Sequence, residues 1–66
     1  VKEGKHVRFP ANVLVDYSRS GMTINQIIQD VLRRLHQVGM DVRNLRAIRF
    51  ERQGNDAHFY GPSRPS

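Results

Sequence analysis

The chain contains no cysteine, so neither a disulfide framework nor a cysteine-based zinc site can supplement its core. That absence fits a reducing compartment, and a cytoplasmic or nuclear location is the expectation. No apolar run approaches the roughly 18 residues of a membrane span, and the opening VKEGKHVRFP has no signal-peptide core. A membrane partner is therefore not expected. An opening valine is what a processed chain, or one cut from something longer, would show. There is no phosphate-cradling glycine loop, no HExxH pair and no cysteine nucleophile. His6, His36 and His58 stand far apart in sequence, and Asp16, Asp30, Asp41 and Asp56 are dispersed. A paired-carboxylate site needs two acids in one place. The chain is accordingly not expected to be an enzyme, and no catalytic residue, metal ligand or cofactor is assigned.

Acidic residues are scarce. Six face 11 lysines and arginines, giving a net charge of +5 and a pI near 10.8. Such a bias speaks to partners more than to fold. Nucleic acid is the first expected partner, with an acidic protein surface as the alternative. At 66 residues the chain makes at most one domain with a small core. Homodimerisation is an open route to stability at this size.

One stretch carries a strong helical pattern, MTINQIIQDVLRRLHQVGM. Ile24, Ile27, Ile28, Val31, Leu32, Leu35 and Val38 recur at spacings of three and four, which predicts a helix over Ile24–Val38. Thr23 is the natural N-cap, and Gln26 completes a capping box. Met22 can staple onto Ile27. Gly39 stands where a left-handed residue closes the helix, with Met40 placed to touch Leu35. Asp30 is an i,i+4 partner for Arg34.

The flanks read as strands. Val7 and Phe9 alternate with His6 and Arg8, and Val13, Val15 and Tyr17 alternate with Asn12, Leu14 and Asp16. Pro10-Ala11-Asn12 is the expected turn between them. Downstream, Ile48 and Phe50 alternate with Arg49 and Glu51, Gln53-Gly54-Asn55-Asp56 is turn chemistry, and Ala57-His58-Phe59-Tyr60 follows as a second strand. Gly61-Pro62-Ser63-Arg64-Pro65-Ser66 does not read as sheet. The expectation is one small basic α+β domain over residues 1–61, ordered β-β-α-β-β with one helix across an antiparallel sheet, and a flexible tail over 62–66. The helix would pack on Val13, Val15, Ile48 and Phe50.

Arginine recurs at every third position in RNLRAIRFER: Arg43, Arg46, Arg49 and Arg52. On a helix these would form a drifting stripe; a strand divides them between two faces. The strand reading puts Arg49 opposite Ile48 and Phe50, Arg46 and Arg52 at the ends of the core-facing row, and Arg43 in the loop. The sheet face away from the helix would hold some of His6, Arg8, Arg49, His58 and Tyr60. A face mixing arginine with aromatic rings suits nucleic acid, because guanidinium groups meet phosphates while rings stack on bases. The candidate nucleic-acid-binding residues are Arg8, Arg43, Arg46, Arg49, Arg52, His58 and Tyr60.

Three partial resemblances accompany this reading. Asn12 to Tyr60 looks like the first strand, helix and central hairpin of an RNA-recognition motif, with VLVDY as first strand and DAHFYG as third. HVRFP followed by GMTINQIIQDVLRRL resembles a ribbon-helix-helix repressor. That likeness implies a dimer whose paired N-terminal strands enter the DNA major groove, with His6, Arg8 and Lys5 as readers. The intervening ANVLVDYSRS is short and β-branched for the helix that family places there. The order of strand, strand, GMTINQIIQDVLRRL and strand is similar to a ubiquitin-like Ras-binding domain, which implies a protein-interaction adapter. An exposed edge of VRFP or FYGP would serve that role by adding a strand to a partner. None of the three covers the whole chain, and no family is assigned.

Overall fold

The computed structural model describes residues 4–65. Among them run β1 (Gly4–Phe9), α1 (Ala11–Arg19), α2 (Ile24–Gln37), a 3-10 turn (Leu45–Ala47), β2 (Arg49–Gln53) and β3 (Asp56–Pro62). The three strands form one antiparallel sheet in the order β1-β3-β2. The fold is a small α+β arrangement, but two helices stand where one was expected, and the order is β-α-α-β-β.

The difference lies in ANVLVDYSR, which is helix rather than strand. Val13 and Tyr17 are four residues apart, a separation that satisfies both periods. The residues between them decide. Leu14 packs with Val13 and Tyr17 against the core, while Val15 is 45% exposed, as a helix requires and a half-buried strand forbids. The helix start is also stabilised from a distance. Pro10 is extended and precedes the first turn, its carbonyl accepting from the Val13 N–H. The Ala11 N–H donates to Asp56 Oδ1 at 3.2 Å. A carboxylate at the head of β3 therefore satisfies one of the four donors a helix N-terminus leaves open. The expected turn at Pro10-Ala11-Asn12 is instead this helix entry.

The second helix forms as its punctuation predicts. Thr23 accepts from the Gln26 N–H, and the Gln26 side chain accepts from the Thr23 N–H. At the other end Gly39 has φ 98°. The Gly39 N–H reaches His36 O at 3.0 Å and the Met40 N–H reaches Leu35 O at 3.1 Å, closing a Schellman motif. Leu35 and Met40, which that motif brings together, are the two fully buried large side chains. Phe9, Tyr17 and Ala57 complete the buried cluster, with Met22, Ile27, Val31, Ile48 and Phe59 packed around it.

The two helices are also joined by a polar contact. Tyr17 donates its hydroxyl to Asp30 Oδ2 at 2.5 Å, and Asp30 pairs with both Arg33 and Arg34. The Tyr17 bond, then the arginines, hold the Asp30 carboxyl below the usual carboxylate range. Burial, then the bond to Asp30, pushes the Tyr17 hydroxyl up.

The C-terminal hairpin turns on Gly54-Asn55. Gly54 has φ 63° and Asn55 does not share the positive sign, the arrangement of a two-residue turn with glycine first. The β3 strand continues through Gly61 and Pro62, although those residues were not expected to extend a sheet. Pro62 lies beyond Arg49↔Tyr60, the last pair with β2, so its missing N–H leaves no gap in that ladder. Its carbonyl accepts from the Asp41 N–H at 2.8 Å, and the Arg64 N–H donates to Gly39 O at 2.7 Å. Ser66, the last residue of the expected tail, lies outside the described residues.

Candidate nucleic-acid interface

Strand parity sorts the side chains onto two faces. Val7, Phe9, Phe50, Ala57 and Phe59 share the face under the helices, where the rings of Phe9 and Phe59 meet edge-on at 5.4 Å. His6 and Arg8 from β1, Arg49, Glu51 and Gln53 from β2, and His58 and Tyr60 from β3 share the other. His6, Arg8, Arg49, His58 and Tyr60 are the residues from which this face was expected to draw; Glu51 and Gln53 join them.

The register aligns part of that face into a row. Tyr60 is paired with His6 on one side and Arg49 on the other. The His6 and Tyr60 rings lie 4.5 Å apart and 5° from parallel. The Arg49 guanidinium carbon sits 5.4 Å from the Tyr60 ring centre. The imidazole is thus stacked on the phenol and the guanidinium carbon lies over it, in a row across three strands. His58, 8% exposed, adds a fourth flat group, its ring 5.0 Å from that of His6. His6 Nε2 and His58 Nδ1 are 2.7 Å apart, so one carries the proton and the other accepts it. Gln53 steadies the row by donating Nε2 to the Tyr60 hydroxyl at 3.3 Å.

Two acids sit beside the cations. Arg8 pairs with Asp56 at 2.9 Å, and Arg49 has Glu51 at 3.9 Å. Both arginine side chains remain more than half exposed, so the pairs leave them accessible to a phosphate. Pairs this open contribute little to stability.

Of the seven candidate residues, Arg8, Arg49, His58 and Tyr60 come together on this face. Arg52 lies on the opposite one, paired with Ala57 and bordering an apolar cleft with Phe50 and Phe59. Arg46 is in the 3-10 turn, outside the strand row once expected to hold it. Arg43 lies in the connection after α2, as expected, with its guanidinium 3.8 Å from Asp41. The four arginines of the triplet repeat therefore do not make one surface. His6 and Gln53 complete the site but were not among the candidates. Alternation alone puts both on the outer face; only the strand order, which alternation does not encode, puts His6 against Tyr60. The same order corrects the expected edges. FYGP lies in the central strand, and the open edges belong to β1 and β2.

Among the described residues no cluster of three or more potential metal ligands occurs, and no helix is long and apolar enough to cross a membrane. No family model, curated protein or solved structure matches the chain.

Proposed function

We propose that this chain is a small basic nucleic-acid-binding module that uses the outer face of its sheet. The observation that carries the reading is the Arg49–Tyr60–His6 row. A base can extend such a row at either end, on the imidazole or on the guanidinium plane. Arg8 and Arg49 supply phosphate contacts beside it. The net charge of +5 favours the encounter. Anisotropy titrations against mixed-sequence single-stranded RNA and DNA at two salt concentrations test this. Affinity should fall steeply with salt, because each phosphate contact releases counterions. Arg49→Ala should reduce the salt slope by about one unit. Absence of binding at low salt would rule the reading out in favour of a protein-binding adapter.

A second reading is favoured by the helical state of Ala11–Arg19. It gives residues 4–37 the strand-helix-helix order of a ribbon-helix-helix repressor. In that reading β1 pairs with β1 of a second copy, and His6 and Arg8 face duplex DNA. Preference for duplex over single strands, with a dimer abolished by changes in β1, would select it.

A further inference from the structure

We propose that the open edge of β2 is the seam of a homodimer, with Phe50 facing Phe50 of a second copy across a two-fold axis normal to the sheet. The proposal is independent of the nucleic-acid reading.

All five residues of β2 are exposed, unusual for a strand carrying a core-facing phenylalanine. Phe50 is 55% exposed, Leu45 58% and Ile24 70%. Phe50, Leu45 and Ile28 line one apolar cleft between α2 and β2 of about 320 Å³. The accessible surface, 5101 Å², exceeds by about 800 Å² the roughly 4,300 Å² expected for a folded chain of 7.6 kDa. Arg64 and Pro65, exposed at the C-terminal end, supply part of that excess.

The sequence of the edge identifies the occupant. The two-residue turn makes Gln53↔Asp56 a hydrogen-bonded pair. Arg49 and Glu51 therefore direct their backbone groups at β3, and Phe50 and Arg52 direct theirs at the open edge. A normal two-fold keeps the helices of both copies on one face, so facing residues must share parity. Centred on Phe50, it makes a reciprocal backbone pair Phe50↔Phe50. It also sets Arg49 of each copy opposite Glu51 of the other. Arg-Phe-Glu is its own antiparallel complement, with two opposite-charge pairs flanking an aromatic pair. Charges on an edge strand ordinarily discourage pairing; here they select one partner and one register. The edge of β1 has no such property. Pairing about Val7 sets Arg8 against His6, and pairing about His6 sets Lys5 against Val7. The joined sheet would carry two Arg49–Tyr60–His6 rows on one continuous face.

Sedimentation velocity at tens of micromolar tests the proposal. The parent should be a dimer. Arg49→Glu and Glu51→Arg each replace two attractions by two repulsions and should raise the dissociation constant about tenfold. Mixed in equal amounts, these two variants are mutually complementary and should dimerise again as a heterodimer. Phe50→Cys gives a check without charge change. It introduces a single thiol into a chain without cysteine, in a pair whose Cα separation of about 5.5 Å permits a disulfide. Oxidation should join two copies. A parent that stays monomeric, folded charge variants that dimerise like the parent, or a mixture that fails to restore the dimer would each overturn the proposal.

Discussion

Asp56 is the residue on which the unexpected helix depends, and its replacement has a calculable cost. Its Oδ1 accepts from the Ala11 N–H at 3.2 Å and its Oδ2 from Arg8 at 2.9 Å. Asp56→Ala removes the acceptor at the start of α1, a loss of about 1 kcal/mol by analogy with helix caps. The exposed pair with Arg8 adds about 0.2–1 kcal/mol. The sum, roughly 1–2 kcal/mol, is a large fraction of what a core this small provides. It corresponds to a fall in Tm of about 4–16 °C at this chain length. Asp56→Asn retains an oxygen acceptor and loses only the charge, so it should recover most of the difference. Arg8→Ala should cost a few tenths of a kcal/mol. Thermal melts followed by far-UV circular dichroism, with amide exchange at residues 11–19, measure each term. An Asp56→Ala variant as stable as the parent, or an asparagine variant as weak as the alanine one, would refute the capping argument.

Three further outcomes follow from the packing and the polar contacts. Thr23→Ala breaks the capping box of α2 and should cost about 1 kcal/mol in urea unfolding. Gly61→Ala should destabilise through overpacking by roughly 1–3 kcal/mol, because a Cβ there would lie 2.8 Å from Met40 Sδ; Met40→Ala in the same background should recover part of its own cost. Asp30 is held below the ordinary aspartate range, so its contribution is full above that range and is lost as pH falls through its own lower value. The Tm difference between parent and Asp30→Asn should therefore be constant near neutrality and shrink below about pH 4.

What could be read from the sequence was what local chemistry decides. The second helix announces itself because cap, stripe and closing glycine agree on one segment, and Gln53-Gly54-Asn55-Asp56 announces the hairpin for the same reason. The first helix did not, because Val13 and Tyr17 fit both periods and its stabilising carboxylate lies 45 residues away. The outer face was legible residue by residue from alternation. Its central feature was not, since stacking His6 on Tyr60 requires β1 to lie beside β3. Arg46 misled for a related reason, whereas Arg52 lies in the core-facing row where alternation placed it. Spacing says how often arginine recurs, whereas the 3-10 turn at Leu45–Ala47 and the pleat of β2 decide where each one lies.

In the proposed reading one face of the sheet, rather than net charge alone, binds nucleic acid. Tyr60→Ala and Arg52→Ala, each shown to be folded, test it most directly when titrated with a single-stranded oligonucleotide beside the parent. Tyr60 sits in the stacked row, and Arg52 carries a full charge on the opposite face. Tyr60→Ala should weaken binding by roughly 1–3 kcal/mol, and Arg52→Ala should change it far less. Equal binding by Tyr60→Ala and the parent, or a larger loss in Arg52→Ala, would contradict it.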